Sequence, residues 1–145
     1  MSPKHPGPLA FFTHDHRRCD ELWAELEAGA GAATWTAFDQ AMRAHFAMEE
    51  DVLFPALEQA TGMIDAGPTF VMRSEHQQMK SLLDTMGAAA SAGDFDTVLD
   101  QGDSLLMLIQ QHNMKEEHML YPLADRAIAD QWGAIASKLD AYRSA

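Results

Sequence analysis

The chain has 145 residues, with 22 Asp and Glu against 10 Lys and Arg and a formal net charge of −12. A chain of this length can bury a real core, and we expect one domain over 1–145. The charge argues against nucleic acid as a partner, which needs clustered Lys and Arg, and no apolar run approaches the roughly 20 residues of a membrane span.

Cys19 is the single cysteine, so no internal disulfide can form, which suits a reducing compartment. The opening MSPKHPGPLAFF lacks the long apolar stretch of a signal peptide. A cytoplasmic location is the expectation. Nothing in the pattern fixes an oligomeric state.

Abundant Ala, Leu, Met, Glu and Gln favour helix. A first helix is expected from about Pro8 to Glu27, with Pro8 in its first turn. The AGAGAA run at 28–33 breaks it. Thr34 or Thr36 can cap a second helix that continues to about Ala60, with Pro55 kinking or tightening it. TGMIDAGP at 61–68 reads as a loop, followed by a third helix from about Thr69 to Ala90. SAGD at 91–94 leads into a fourth helix over about 95–127, which carries Pro122. Ile128, Trp132, Ile135, Leu139 and Tyr142 then recur at helical spacing, a short additional C-terminal helix over about 128–143 that packs across the others. Short loops favour antiparallel neighbours, so the expected class is all-α, a four-helix bundle over about 8–127.

The second and fourth helices carry one phrase twice. HFAMEEDVLFP at 45–55 and HNMKEEHMLYP at 112–122 both fit His-x-x-x-Glu-Glu-x-x-Leu-aromatic-Pro. Residues four apart share a helix face, so each copy aims one imidazole and one carboxylate at the same point. Each half of the chain also supplies a lone histidine beforehand: His16 precedes His45 by 29 residues, and His76 precedes His112 by 36.

A helix advances about 100° per residue, which sorts inward from outward side chains. His16 falls within the stripe Leu9, Phe12, Cys19, Trp23 and Leu26, while His14 lies about 160° from it. Phe38, Met42, Val52 and Ala56 flank His45 and Glu49. His76 sits among Met72, Met79, Leu83 and Met86, and His112 and Glu116 among Leu105, Leu108, Met119 and Leu123. The second acids, Glu50 and Glu117, are turned roughly 100° further, toward solvent or a neighbouring helix. Tyr121 falls opposite His112 by the same reckoning and is not expected to be a ligand. His118 lies off the inward face, and Cys19 reads as a small core filler.

Six polar residues thus interrupt the apolar stripes: His16, His45, Glu49, His76, His112 and Glu116. One histidine alone would more often be a satisfied core residue than a ligand. Buried carboxylates are different, because they are almost never fully buried unless paired or bound to a cation. Only Lys80 is placed to approach the group, so the six read jointly as metal ligands. Imidazole and carboxylate donors without thiolate suit iron, manganese or zinc. Two octahedral metals need about twelve bonds. Four imidazoles, two bridging carboxylates and a bridging oxide or hydroxide leave about two positions for water or a small ligand.

This set, with DHRR at 15–18 and SEHQQM at 74–79 around the lone histidines, resembles the hemerythrin-like HHE cation-binding domains over about residues 8 to 127. The resemblance implies an up-down-up-down four-helix bundle around a non-haem centre of two iron ions. Oxygen-carrying hemerythrins have His-x-x-x-His on the third helix, where this chain has His76 and Lys80. They also place an aspartate five residues beyond the fourth-helix histidine, where this chain has Glu117. The four-His, two-Glu set is closer to iron-centre repair proteins and iron-sensing hemerythrin-like domains. Lys80 either donates to a bound oxygen species or extends outward, and the second is favoured.

The leading functional expectation is a di-iron protein that binds or reacts with a small diatomic or peroxide species such as oxygen, nitric oxide or hydrogen peroxide. One alternative is a non-catalytic iron or redox sensor or iron-handling module, in which metal orders the bundle. Another is a zinc-occupied helical interaction domain.

Overall fold

The computed structural model describes residues 5–29 and 31–144; the outermost residues of the 1–145 domain expectation, and Ala30 of the AGAGAA break, lie outside them. Helix α1 (Pro8–Ala28) opens on a proline, whose missing N–H costs nothing in a first turn. Helix α2 (Ala32–Met48) begins two residues earlier than Thr34. Thr34 still closes its first turn, because its hydroxyl accepts a hydrogen bond from the Gly31 N–H at 3.0 Å. A wide turn over Glu49–Leu53 follows and leads directly into α3 (Phe54–Thr61). Gly62, at φ 75°, adopts the left-handed conformation that ends this segment.

Helix α4 (Pro68–Ser91) again starts on proline, and Asp94 caps α5 (Phe95–Lys115) by accepting from the Thr97 N–H at 3.2 Å. A second wide turn, Glu116–Leu120, joins α5 to α6 (Tyr121–Ala127). A short 3-10 turn over Ala129–Gln131 then leads into α7 (Trp132–Ser144). No helix among the described residues is long and apolar enough to cross a membrane.

The two wide turns correct the expectation that Pro55 kinks or tightens its helix. The Phe54 N–H bonds the Glu49 carbonyl and the Tyr121 N–H bonds the Glu116 carbonyl, each five residues back instead of four. Such a turn holds one extra residue and delays the rotation of all that follows. The prolines at 55 and 122 lie immediately beyond, where the regular bond has no donor to lose. The extra residue explains why Met119, expected in the core, is 68% exposed while Leu120 and Tyr121 are buried.

Two apolar clusters fill the interior. One gathers Phe12, Val52, Phe54, Met72, Leu120 and Tyr121, with Trp132, Ile135 and Leu139 of α7 packed onto it. The other gathers Cys19, Trp23, Phe38, Met42, Met79, Leu105 and Ile109. Going along α1, Phe12 belongs to the first cluster and Cys19 to the second, with His16 between. The same holds for Met72, His76 and Met79 of α4. The remaining ligand candidates, His45 with Glu49 and His112 with Glu116, also fall between members of the two clusters. A polar layer is therefore clamped between two apolar ones.

The close fit of α5 against α1 depends on Gly102. A Cβ there would lie 2.2 Å from the Trp23 ring, so only glycine lets the indole fill that space.

Candidate metal centre

The structure brings all six sequence-predicted side chains together. His16, His45, His76 and His112 are each at most 3% exposed, and Glu49 and Glu116 are fully buried. Glu49 Oε1 lies 3.4 Å from His45 Nε2 on its own helical segment and 3.0 Å from His76 Nε2 of α4. Glu116 Oε1 repeats the pattern, 3.1 Å from His112 Nε2 and 3.0 Å from His16 Nε2. Each carboxylate thus spans one histidine from its own half and one from the other. The imidazoles form two pairs, His16 with His45 at 4.7 Å and His76 with His112 at 4.9 Å between ring centres. His14 and His118 are exposed and remain outside the group.

A ring of outer carboxylates fixes how the imidazoles point. His45 Nδ1 donates to Asp15 Oδ2 at 2.7 Å, and His76 Nδ1 to Glu50 Oε2 at 2.7 Å. His112 Nδ1 donates to Glu75 Oε1 at 2.8 Å, and His16 Nδ1 to Glu117 Oε2 at 2.7 Å. The order closes on itself: α1 orients α2, the turn after α2 orients α4, α4 orients α5, and the turn after α5 orients α1. A proton held on Nδ1 leaves the Nε2 lone pair facing the centre, the arrangement a metal-ligating imidazole needs.

Each outer carboxylate also meets a cation. Arg18 Nε donates to Asp15 at 3.1 Å, Lys80 Nζ to Glu50 at 3.0 Å, and Lys115 to Glu75, while Arg17 lies 3.6 Å from Glu117. Lys80 therefore belongs to the outer ring and does not enter the inner layer. Glu50 and Glu117 face a neighbouring helix, one of the two places the angular reading allowed. Asp15 and Glu75 were not picked out from the sequence. Their signal was available in the Asp-His and Glu-His pairs at 15–16 and 75–76, but the histidine each one orients belongs to another helix.

Tyr121 corrects a prediction. It is fully buried, and its hydroxyl lies 2.6 Å from Glu49 Oε2, 2.9 Å from Glu116 Oε1 and 3.1 Å from His16 Nε2. Nine residues of regular helix would place it about half a turn from His112. The wide turn takes up one residue, removing about 100° of that rotation and swinging the ring inward. Phe54, the matching residue of the first half, stacks on His76 at 5.6 Å.

The electrostatics of the inner layer bear on what it can bind. His45 Nε2, His112 Nε2 and Glu116 Oε2 are buried and have no hydrogen-bond partner among the described residues. Such orphaned atoms are rare and costly in a folded protein. Protonation partly relieves the strain: burial works against charge on His112, but Glu116, Glu49 and Glu75 lift its pKa to about 9. Burial likewise disfavours the charged form of His45, yet Glu49 and Asp15 raise it well above the ordinary range. Burial pushes Asp15 upward, but His45 and Arg18 hold it at about 2. Burial, with the two nearby carboxylates, keeps the proton on Tyr121 far beyond the usual phenol value. The donor set fits multivalent cations. Glu49, His76, His112 and Glu116 offer atoms within 4.8 Å of one another, and so do His16, His45 and Glu116.

Beside this layer is a narrow, mostly apolar cavity of about 20 Å³, room for one water-sized molecule. His16, His45 and His112 line it together with Cys19, Trp23 and Met42. Burial pushes the Cys19 thiol up to about 11, so it is held as a thiol, as expected for a core filler.

Fold and site together define an all-helical protein with a buried histidine and carboxylate cluster suited to cations. Residues 5–124 match the model of the hemerythrin HHE cation binding domain, and the chain belongs to that family. No curated protein and no solved structure matches it.

Proposed function

We propose that this protein holds two iron ions, bridged by oxide or hydroxide, and that the centre binds or reacts with a small diatomic or peroxide species. His16, His45, Glu49, His76, His112 and Glu116 are the ligands in this reading. The observation that carries it is the set of buried polar atoms left without partners, His45 Nε2, His112 Nε2 and Glu116 Oε2, all directed at one layer. Metal coordination is the arrangement that satisfies two lone-pair nitrogens and a carboxylate oxygen at once. Manganese or zinc would accept the same donors.

The alternating order in which α1, α2, α4 and α5 pass between the two apolar clusters supports an up-down-up-down bundle around this layer. Iron in such a site supplies Lewis acidity and one-electron redox chemistry. The chain supplies the rest. Its outer carboxylates hold each Nδ1 proton so that every Nε2 is a donor in a fixed direction. Its two apolar clusters exclude bulk water, and the small cavity beside His16, His45 and His112 admits a molecule of a few atoms while rejecting larger ones. The lone Cys19 supports the reading of a reducing, cytoplasmic location.

The test is optical. Protein loaded with ferrous iron under anaerobic conditions is mixed separately with oxygen, nitric oxide and hydrogen peroxide. New visible or near-ultraviolet absorption with at least one of them is expected. No change with any of the three would contradict a reactive centre and favour a non-catalytic sensor or iron-handling module.

A further inference from the structure

The geometry points to Tyr121 Oη as a seventh ligand, an oxygen donor to the cation position formed by His16, His45 and Glu116, with no counterpart in the other half of the centre. This inference rests on the proposed metal centre. Two donors at right angles on a cation with bonds of about 2.1 Å are separated by roughly 3 Å. Tyr121 Oη lies 2.9 Å from Glu116 Oε1 and 3.1 Å from His16 Nε2, and those two atoms are 3.0 Å apart. Three donors at this mutual spacing outline one face of an octahedral site. Glu49 Oε2, at 2.6 Å from the phenol oxygen, adds a fourth nearby donor.

The pseudo-symmetry of the molecule sharpens the point. Tyr121 and Phe54 occupy matching positions after matching wide turns. The Tyr121 ring centre is 5.6 Å from that of His16, and the Phe54 ring centre is 5.6 Å from that of His76. One half therefore presents an oxygen where the other presents only carbon. The cation position beside His16 gains a donor that the position beside His76 lacks. Coordination forms one metal–oxygen bond, breaks the phenol O–H bond and releases that proton to solvent.

The chain has two tyrosines. Tyr142, the other, has its hydroxyl on Asp51 at 3.2 Å at the exposed surface. A phenolate–iron signature can thus be assigned. Wild-type protein loaded with ferric iron is examined by metal analysis, visible absorption and resonance Raman scattering, beside Tyr121→Phe. Two irons per chain, a visible charge-transfer band and phenolate ring vibrations are expected in the wild type. Tyr121→Phe should keep at least one iron and lose the band and the vibrations completely. Iron bound by the wild type without phenolate vibrations overturns the assignment while leaving the metal centre intact, and this holds even if the variant fails to fold. A band that survives in Tyr121→Phe also overturns it. Absence of stoichiometric iron from the wild type overturns the underlying centre together with this ligand.

Discussion

The two halves of the molecule apply one device twice and differ in the ring that follows each wide turn, Phe54 in one and Tyr121 in the other. Each half has a lone histidine, a His-x-x-x-Glu arm, an acid preceding the lone histidine and a second acid in the wide turn. In each, the acid before the lone histidine orients the partner helix of the same half, and the acid in the turn reaches across to the other half. The halves are thereby interlocked: neither has its imidazoles fully oriented without the other. The difference is Phe54 against Tyr121, a ring without and a ring with an oxygen. A repeat can thus create two clusters that could each hold a cation, and one of them alone has a phenol oxygen beside it.

The largest expected effect is on what the halves share. Removing metal with a chelator leaves two buried carboxylates and their imidazoles to neutralise one another by protonation alone. A ligand that binds only the folded state at about a thousand times its Kd contributes about 4 kcal/mol. We expect thermal unfolding followed by circular dichroism to show Tm lower by at least about 10 °C after chelation. An unchanged Tm would mean that the layer is balanced without a cation.

The next effect tests whether the outer ring acts equally in both halves. Asp15→Asn and Glu75→Gln remove corresponding acids, and each should weaken metal binding by about 10- to 100-fold with helicity retained. Asp15 is fully buried and is also approached by Arg18 and Arg143, whereas Glu75 is one-fifth exposed. Asp15→Asn should therefore be the more damaging. Equal losses in metal titrations of the two variants would remove burial from the explanation.

The pH response should separate metal-free from metal-loaded protein. His112 has a folded pKa of about 9, above its unfolded value of about 6.5. In the metal-free protein its contribution is fully present below pH of about 6.5 and is lost as pH rises toward 9. Asp15 behaves oppositely: its contribution is present above about pH 4 and lost as pH falls toward 2. Metal binding needs the Nε2 lone pairs, so it competes with protons and weakens on acidification. The gap in Tm between loaded and metal-free protein should widen from pH 6 to pH 9. A gap that narrows would contradict imidazole ligation.

The smallest effect addresses the Phe54 and Tyr121 difference directly. Phe54→Tyr gives the first half a hydroxyl in the place matching Tyr121 and should strengthen the phenolate band of ferric protein, at a modest cost in stability. An unaltered band would show that the two ring positions are not interchangeable.

Much of this architecture was legible in the chain. The stripes around His16 and His76 and the doubled His-x-x-x-Glu phrase pick out six side chains that the fold brings into one layer, because the four histidines lie on regular helices and Glu49 and Glu116 open the wide turns, before the 100° step is lost. Where that step fails, the reading failed with it. Met119 and Tyr121 were misplaced because the wide turn at Glu116–Leu120 shifts everything beyond it by one residue. The repeated Leu-aromatic-Pro ending was the available sign that something other than plain helix recurs there. The pairing of Asp15 with His45 and of Glu117 with His16 was not legible, since it depends on which helix faces which, not on spacing within one.

The most direct measurement is the number of metal ions bound at equilibrium by anaerobically reconstituted protein, beside the variant carrying both Glu49→Gln and Glu116→Gln. Two ions per chain in the wild type, and none in a variant that remains helical, is the result expected of a layer whose buried anions demand cations. A wild type that takes up no stoichiometric metal, or a variant that still holds two ions, would contradict it.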